Sequence, residues 1–159
     1  MNFSTIFRLK ENLNLDRKTL VILRWIAITG QIIAINIVYF ILKFDFPIIE
    51  THLIILVGLI TNVYLQFAIK SVQLKDSYSS IFLVYDLVQL SFLLYLTGGI
   101  SNPFSILLII PAIVSSTFLS MGTTIILAML TIFFLLIITM YHKPLPGMEE
   151  NLFVFPDYY

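Results

Sequence analysis

The chain has 159 residues, of which 59% are hydrophobic and 11% charged, and its mean hydropathy is +0.99. Soluble domains are roughly 45–50% apolar and about 25% charged, and a chain of this size cannot hide so much apolar surface in a water-soluble core, so the bilayer must be its solvent. The formal net charge of zero gives no support for nucleic-acid binding, and the lack of cysteine excludes disulfides, thiolate metal sites and a cysteine nucleophile.

The first 18 residues are more polar than the rest of the chain. The charged stretch RLKE lies among apolar residues that recur near helical spacing. This pattern is typical of a short amphipathic helix on the membrane surface, and a solvated tail fits it equally well. We predict that residues 1–18 form a cytoplasmic N-terminal segment. They are not a secretory signal peptide, because the next apolar run has full membrane length and four more runs come after it.

Five apolar runs make up most of the chain, each about as long as the roughly 20 residues that a helix needs to cross a hydrocarbon core of about 30 Å. Short connectors separate them, and none of the runs alternates with the period of two that is typical of a strand. We therefore predict an all-α, polytopic transmembrane helix bundle. Its spans lie at about residues 19–42, 48–69, 79–97, 104–120 and 123–141.

The distribution of Lys and Arg predicts the orientation of the bundle. A cytoplasmic N-terminus leaves only Lys43 and Lys143 outside, and it places six basic residues at the inner side: Arg8, Lys10, Arg17, Lys18, Lys70 and Lys75. The connector after the third span then faces outwards. Residues 142–159 form an external loop, and we expect a sixth span to follow them.

Two charges lie inside the predicted spans, Arg24 in the first and Asp86 in the third. At 1.5 Å per residue both lie roughly 8–11 Å from the inner edge. Each unpaired charge costs at least about 2.5–3.5 kcal/mol there, which favours an intramembrane ion pair. The alternative is an arginine that reaches the headgroups and a protonated or hydrated aspartate. The polar residues Gln31, Asn36, Asn62, Gln66 and Gln89 are predicted to bond across helices.

The stretch TGGISNPFS, residues 97–105, separates the third and fourth spans. Gly98 and Gly99 can end a helix in the left-handed conformation, Ser101 or Asn102 can cap the next one, and Pro103 suits its first position. The same residues could also bind a ligand. The helix start offers unpaired N–H groups, Asn102 offers donors and an acceptor, and Phe104 offers a flat face. A planar, lipid-soluble molecule with carbonyl oxygens, such as a quinone, fits those groups.

The remaining candidate site is a pair of histidines. His52 and His142 both fall near the outer ends of predicted helices, where they could hold a haem from two sides, although interfacial histidines without a cofactor are commoner. The sequence contains no Ser–His–Asp arrangement, no phosphate loop and no metal-ligand cluster. The chain therefore offers no catalytic machinery of its own.

Three stretches resemble the membrane region of the RegB/PrrB family of redox-responsive sensor histidine kinases. They are LVILRWIAITGQ at residues 20–31, the segment 85–120 that starts with YDLVQL, and within it a heptapeptide of the form GGxxNPF at residues 98–104. The resemblance covers about residues 17–146. It implies a six-helix sensor in the bacterial inner membrane that binds ubiquinone at the heptapeptide, with Gly98, Gly99, Asn102, Pro103 and Phe104 as the site residues.

The resemblance also implies a signalling role. In that family the membrane region controls autophosphorylation of a cytoplasmic histidine and phosphotransfer to the aspartate of a response regulator, and the kinase is a homodimer. In that family the ATP-dependent kinase domains follow the sixth helix. We expect this chain to be either a fragment of a full-length kinase or a sensor module that exists without its kinase domains. Two other classes stay open: a small transporter or channel subunit, which predicts an internal repeat and helices broken at mid-membrane, and a haem-binding membrane anchor of a respiratory complex.

Overall fold

The chain folds into a bundle of helices joined by short turns. The computed structural model describes residues 15–41 and 43–143, and those residues contain no β-strand. Helix α1 spans Arg17–Asn36 and continues as a π-helical turn, Ile37–Ile41; α2 spans Ile48–Phe67, α3 spans Asp76–Leu96, a 3-10 helix at Pro103–Ile109 leads into α4 at Ile110–Phe118, and α5 spans Met121–Met140. The predicted all-α membrane fold is confirmed. Of the predicted terminal segments, residues 1–14 and 144–159 lie outside the described residues.

Four of these segments are long and apolar enough to cross a membrane as helices of 20 to 25 residues, and the fourth predicted span is a shorter apolar helix at Pro103–Phe118. Its first seven residues are 3-10 and its last nine are α. Because a 3-10 helix rises about 2.0 Å per residue and an α-helix about 1.5 Å, this segment is roughly 27 Å long, close to the thickness of the hydrocarbon core. The segment Pro103–Phe118, although it has fewer residues than the other spans, is therefore long enough to cross the hydrocarbon core.

Pro111 accounts for the change of helix type. A proline has no N–H to donate and its ring clashes with the carbonyl four residues earlier, so an α-helix cannot run through it undisturbed. In the structure Pro111 occupies the first turn of α4, and the N–H of Ile110 donates to the carbonyl of Leu107 in the 3-10 pattern. At the start of an α-helix the missing donor costs nothing, because that N–H has no partner within the helix.

Arg17 joins α1 to α2 and to the connector after α2, at the end of the bundle that is predicted to face the cytoplasm. Its N–H donates to the carbonyl of Val72 at 3.0 Å, which joins the start of α1 to the connector between α2 and α3. Its guanidinium donates to the carbonyls of Gln66, at 2.8 Å, and Ile69. A cation at the C-terminal end of α2 also complements the helix dipole.

Asp76 joins α3 to the start of α5 at the same end of the bundle. Its carboxylate accepts hydrogen bonds from the N–H of Ser120 at 2.8 Å, from the Ser120 hydroxyl at 3.0 Å and from the hydroxyl of Thr123. Ser120 in turn caps α5 by accepting from the N–H of Thr123. The first residue of α3 is thereby tied to the start of α5.

Helix α3 lies at the centre of the bundle. Three clusters of buried apolar residues surround it, and each contains α3 residues: Leu83 in the cluster near the Arg17 end, Leu93 in the cluster with α1 and α2, and Leu87 and Leu94 in the cluster with the 3-10 helix and α5. The outward faces of the helices carry exposed Ile, Leu and Phe side chains, as a lipid-facing surface requires.

Candidate functional site

The stretch 97–105 forms a tight turn between α3 and the 3-10 helix. Gly98 and Gly99 both have positive φ, at 100° and 61°, which a residue with a side chain rarely adopts. A Cβ atom on Gly99 would also overlap the ring of His142, which packs against the turn from the end of α5. The N–H of Lys143 donates to the carbonyl of Tyr95 at 2.9 Å beside it. The turn is therefore in direct contact with His142, which follows the end of α5.

Asn102 caps the 3-10 helix, and Pro103 is its first residue. The side-chain oxygen of Asn102 accepts from the N–H of Phe104 at 2.9 Å. The amide nitrogen donates to the carbonyl and to the hydroxyl of Thr97, at 3.0 and 2.9 Å. The amide nitrogen of Asn102 thus has two hydrogen-bond partners inside the turn, and the neighbouring Phe104, which is 40% exposed, offers a ligand an aromatic surface.

A cleft of about 340 Å³ begins at this turn and runs into the membrane-spanning part of the bundle. Helix α1 forms one side of it, the 3-10 helix and α4 form the other, and α3 forms its floor. Asn102 and Phe104 lie at one end, and Arg24 and Asp86 lie near the other. Thr97 and Leu83, which lines the cleft one turn beyond Asp86, are fourteen residues apart on α3, so the cleft is roughly 21 Å long.

Arg24 and Asp86 form an ion pair at the end of the cleft that is farther from the turn. The Nε atom of Arg24 donates to Oδ1 of Asp86 at 2.9 Å, and Nη2 donates to the hydroxyl of Thr61 at 2.8 Å. The guanidinium carbon lies 5.3 and 5.4 Å from the ring centroids of Phe82 and Tyr85, within cation–π distance. The Arg24 side chain is 3% exposed and that of Asp86 25%. Sequence reasoning did not single out Thr61, because a threonine in an apolar helix carries no distinguishing signal.

Gln31 and Gln89 form a second polar level in the cleft. The amide nitrogen of Gln89 donates to the side-chain oxygen of Gln31 at 3.2 Å, which joins α3 to α1. Gly58 of α2 makes room for the Gln89 amide, since a Cβ atom at residue 58 would overlap it. The sequence predicted interhelical bonds for both glutamines, and the structure additionally places them in the lining of the cleft.

The other predicted polar residues lie outside the cleft. Asn62 donates to the carbonyl of Val21 at 3.3 Å, and Gln66 accepts from the indole of Trp25 at 3.2 Å, so both join α2 to α1. Asn36 donates to the carbonyl of Ile32 in its own helix.

The two histidines occupy different parts of the bundle. His52 lies 3.4 Å from the Asn36 amide, between α1 and α2, whereas His142 packs on Gly99. In both, Nδ1 is within hydrogen-bond distance of the carbonyl four residues earlier in the chain. Among the described residues, the two histidine rings therefore share no hydrogen-bond partner.

Comparisons with known proteins point to one family. A family model described as a PilS-like transmembrane domain matches residues 8–154. Sensor histidine kinase RegB of Cereibacter sphaeroides is 36% identical over 129 residues, which are 80% of this chain and 28% of the relative. The chain therefore spans little more than a quarter of that relative's length. No solved structure matches the chain.

Proposed function

The chain belongs to the family of PilS-like transmembrane domains, and on that premise we propose that it is the membrane sensor region of a two-component histidine kinase. It is a multi-pass protein of the bacterial inner membrane, with lipid around its apolar outer surface. In the full-length protein, ATP-dependent kinase domains would autophosphorylate a histidine and pass the phosphoryl group to a response regulator. The full-length protein would act as a homodimer.

The ligand that we propose for the sensor is ubiquinone, bound in the cleft between α1, α3 and α4. The observation that carries this proposal is the shape and lining of the cleft. Its volume of about 340 Å³ falls in the range of roughly 300–1,000 Å³ that is usual for small-molecule sites. Apolar residues form most of its lining, and the polar groups are confined to Thr97 and Asn102, to the Gln31–Gln89 level and to the Arg24–Asp86 pair. That combination suits an oxygen-bearing ring on a long hydrocarbon chain.

The heptapeptide at residues 98–104 would close one end of this site. The ring of Phe104 supplies a flat apolar contact, and Gly98, Gly99, Asn102 and Pro103 hold the turn that positions it. Occupation of the cleft would displace this turn, in which Gly99 packs against His142 just after α5, while the N–H of Lys143 bonds the carbonyl of Tyr95 at the end of α3. A change in the cleft could in this way reach the part of the protein beyond α5.

Equilibrium dialysis of ubiquinone against the purified chain in detergent tests the proposal. Phe104→Ala should weaken binding about two- to tenfold, the range for loss of one aromatic contact. Phe92→Ala is the matched control, because Phe92 is 56% exposed on α3 and does not line the cleft. Equal affinity in the wild type and both variants, with helix content unchanged, would speak against a quinone site beside the heptapeptide.

A further inference from the structure

We infer that the quinone head group binds at the end of the cleft away from the heptapeptide, between the Gln31–Gln89 level and the Arg24–Asp86 pair, and that the isoprenoid chain extends towards Phe104. This inference rests on the proposed function, since it assigns an orientation to the ligand proposed there. It reverses the placement that the heptapeptide alone suggests.

Free hydrogen-bonding capacity is the first reason. At the turn, the amide nitrogen of Asn102 already has two acceptors on Thr97. At the other end, Nη1 of Arg24 is buried without a partner among the described residues. Within the same part of the chain, Gln31 uses only its oxygen and Asp86 only Oδ1. Of the polar side chains that line the cleft, those with unused hydrogen-bonding atoms therefore lie away from the turn.

The spacing and charge of these groups are the second reason. Asp86 and Gln89 both line the cleft and are three residues apart on α3, a rise of about 4.5 Å, so one head group can contact both side chains. A quinone carbonyl can accept from the Gln31 amide, and a hydroxyl of the reduced form can donate to Asp86. Because Arg24 and Asp86 neutralise each other, the pocket favours a neutral head group over an anionic lipid phosphate.

The opposite orientation is less favourable. A head group at the heptapeptide would bring the hydrocarbon chain against the Gln31 amide, the ion pair and Nη1 of Arg24, which a hydrocarbon cannot satisfy. The lining between the Gln31 level and the turn is apolar and includes Ala34, Leu93, Leu94 and Leu107. That stretch, roughly 12 Å along α3 from Gln89 to Thr97, suits the isoprenoid chain.

Two probes and one pair of variants test the orientation: the ubiquinone head group without its chain, and ubiquinone with an isoprenoid chain. The protein has no cysteine that the head group could alkylate. Ala27 and Ala34 both line the cleft from α1; Ala27 lies between Arg24 and Gln31, and Ala34 lies nearer the heptapeptide. Ala27→Leu and Ala34→Leu therefore add the same bulk beside the proposed head group and beside the proposed chain. In equilibrium dialysis, Ala27→Leu should weaken both probes. Ala34→Leu should weaken only the long-chain form.

Gln31→Leu removes the proposed head-group donor, with Gln66→Leu as the control because Gln66 bonds Trp25 outside the cleft. Gln31→Leu should weaken the chainless probe about fivefold, as loss of one net hydrogen bond predicts. Phe104→Ala should not affect that probe.

The outcomes separate the two proposals. If the chainless probe depends on Phe104 and Ala34 but not on Gln31 and Ala27, the head group lies at the heptapeptide; this inference is then overturned and the quinone-sensor proposal stands. If neither probe binds saturably, both proposals are overturned.

Discussion

The ion pair between Arg24 and Asp86 makes a prediction whose size depends on the burial of its two partners. Asp86→Leu leaves a guanidinium that is 3% exposed and whose one remaining hydrogen-bond partner, among the residues that the structure describes, is the hydroxyl of Thr61. An arginine cannot release its proton, so the charge stays in the bundle. Breaking a buried pair in this way costs about 3–5 kcal/mol, a large part of the roughly 5–15 kcal/mol that typically separates folded from unfolded protein.

Arg24→Leu should cost less, although it breaks the same pair. The Asp86 side chain is 25% exposed to the cleft, and a carboxylate without its counter-charge can take up a proton. We therefore expect a loss of about 1–3 kcal/mol, the range for an unsatisfied polar group. The double variant, Arg24→Leu with Asp86→Leu, leaves no buried charge and should lose less than Asp86→Leu alone.

Unfolding by sodium dodecyl sulfate in mixed micelles, followed by far-UV circular dichroism, measures the free energy of unfolding for the wild type and the three variants. These four values form a double-mutant cycle. A double-variant loss equal to the sum of the two single losses would refute the reasoning, because independent residues behave additively. A larger effect of Arg24→Leu than of Asp86→Leu would refute the role assigned to burial.

Three further predictions concern the rest of the bundle. A cysteine introduced by Gln73→Cys should be inaccessible to a membrane-impermeant thiol reagent in intact cells, because the distribution of basic residues predicts that this connector lies in the cytoplasm. Gly58→Ala should weaken ubiquinone binding by displacing the Gln89 amide, as measured by equilibrium dialysis. Gly99→Ala should destabilise the chain by about 1–3 kcal/mol in the detergent unfolding assay, because φ is positive there and the Cβ overlaps His142.

Each of these predictions has a control. Gly147→Cys, in the predicted external loop, should be labelled in intact cells, and labelling of Gln73→Cys instead would invert the topology. Gly122→Ala adds a Cβ that meets nothing within 4 Å and lies outside the cleft, so it should leave binding unchanged; equal effects at residues 58 and 122 would contradict the role given to Gln89. Gly122→Ala is also the stability control for Gly99→Ala.

The sequence by itself determined the class of the protein, the number of apolar helical segments and the local chemistry of the turn. In lipid a spanning segment must satisfy its own backbone hydrogen bonds, so length and apolarity are enough to predict a helix. The conformation of the turn can also be predicted from local sequence. Left-handed glycines, an Asn102 cap and Pro103 at the first helical position depend on neighbours only a few residues away, and all of them are present in the structure.

Only the tertiary structure decided which polar groups meet and where a ligand can fit. Counting residues gives the depth of Arg24 and Asp86 in the membrane, but Thr61 joins them through packing that the sequence does not encode locally. The same holds for the cleft and for the two hydrogen bonds from the Asn102 amide to Thr97. The physical reason is rotation about the helix axis. A helix that is apolar on all sides has no face marked for the interior, so its rotation is set by contacts with the other helices.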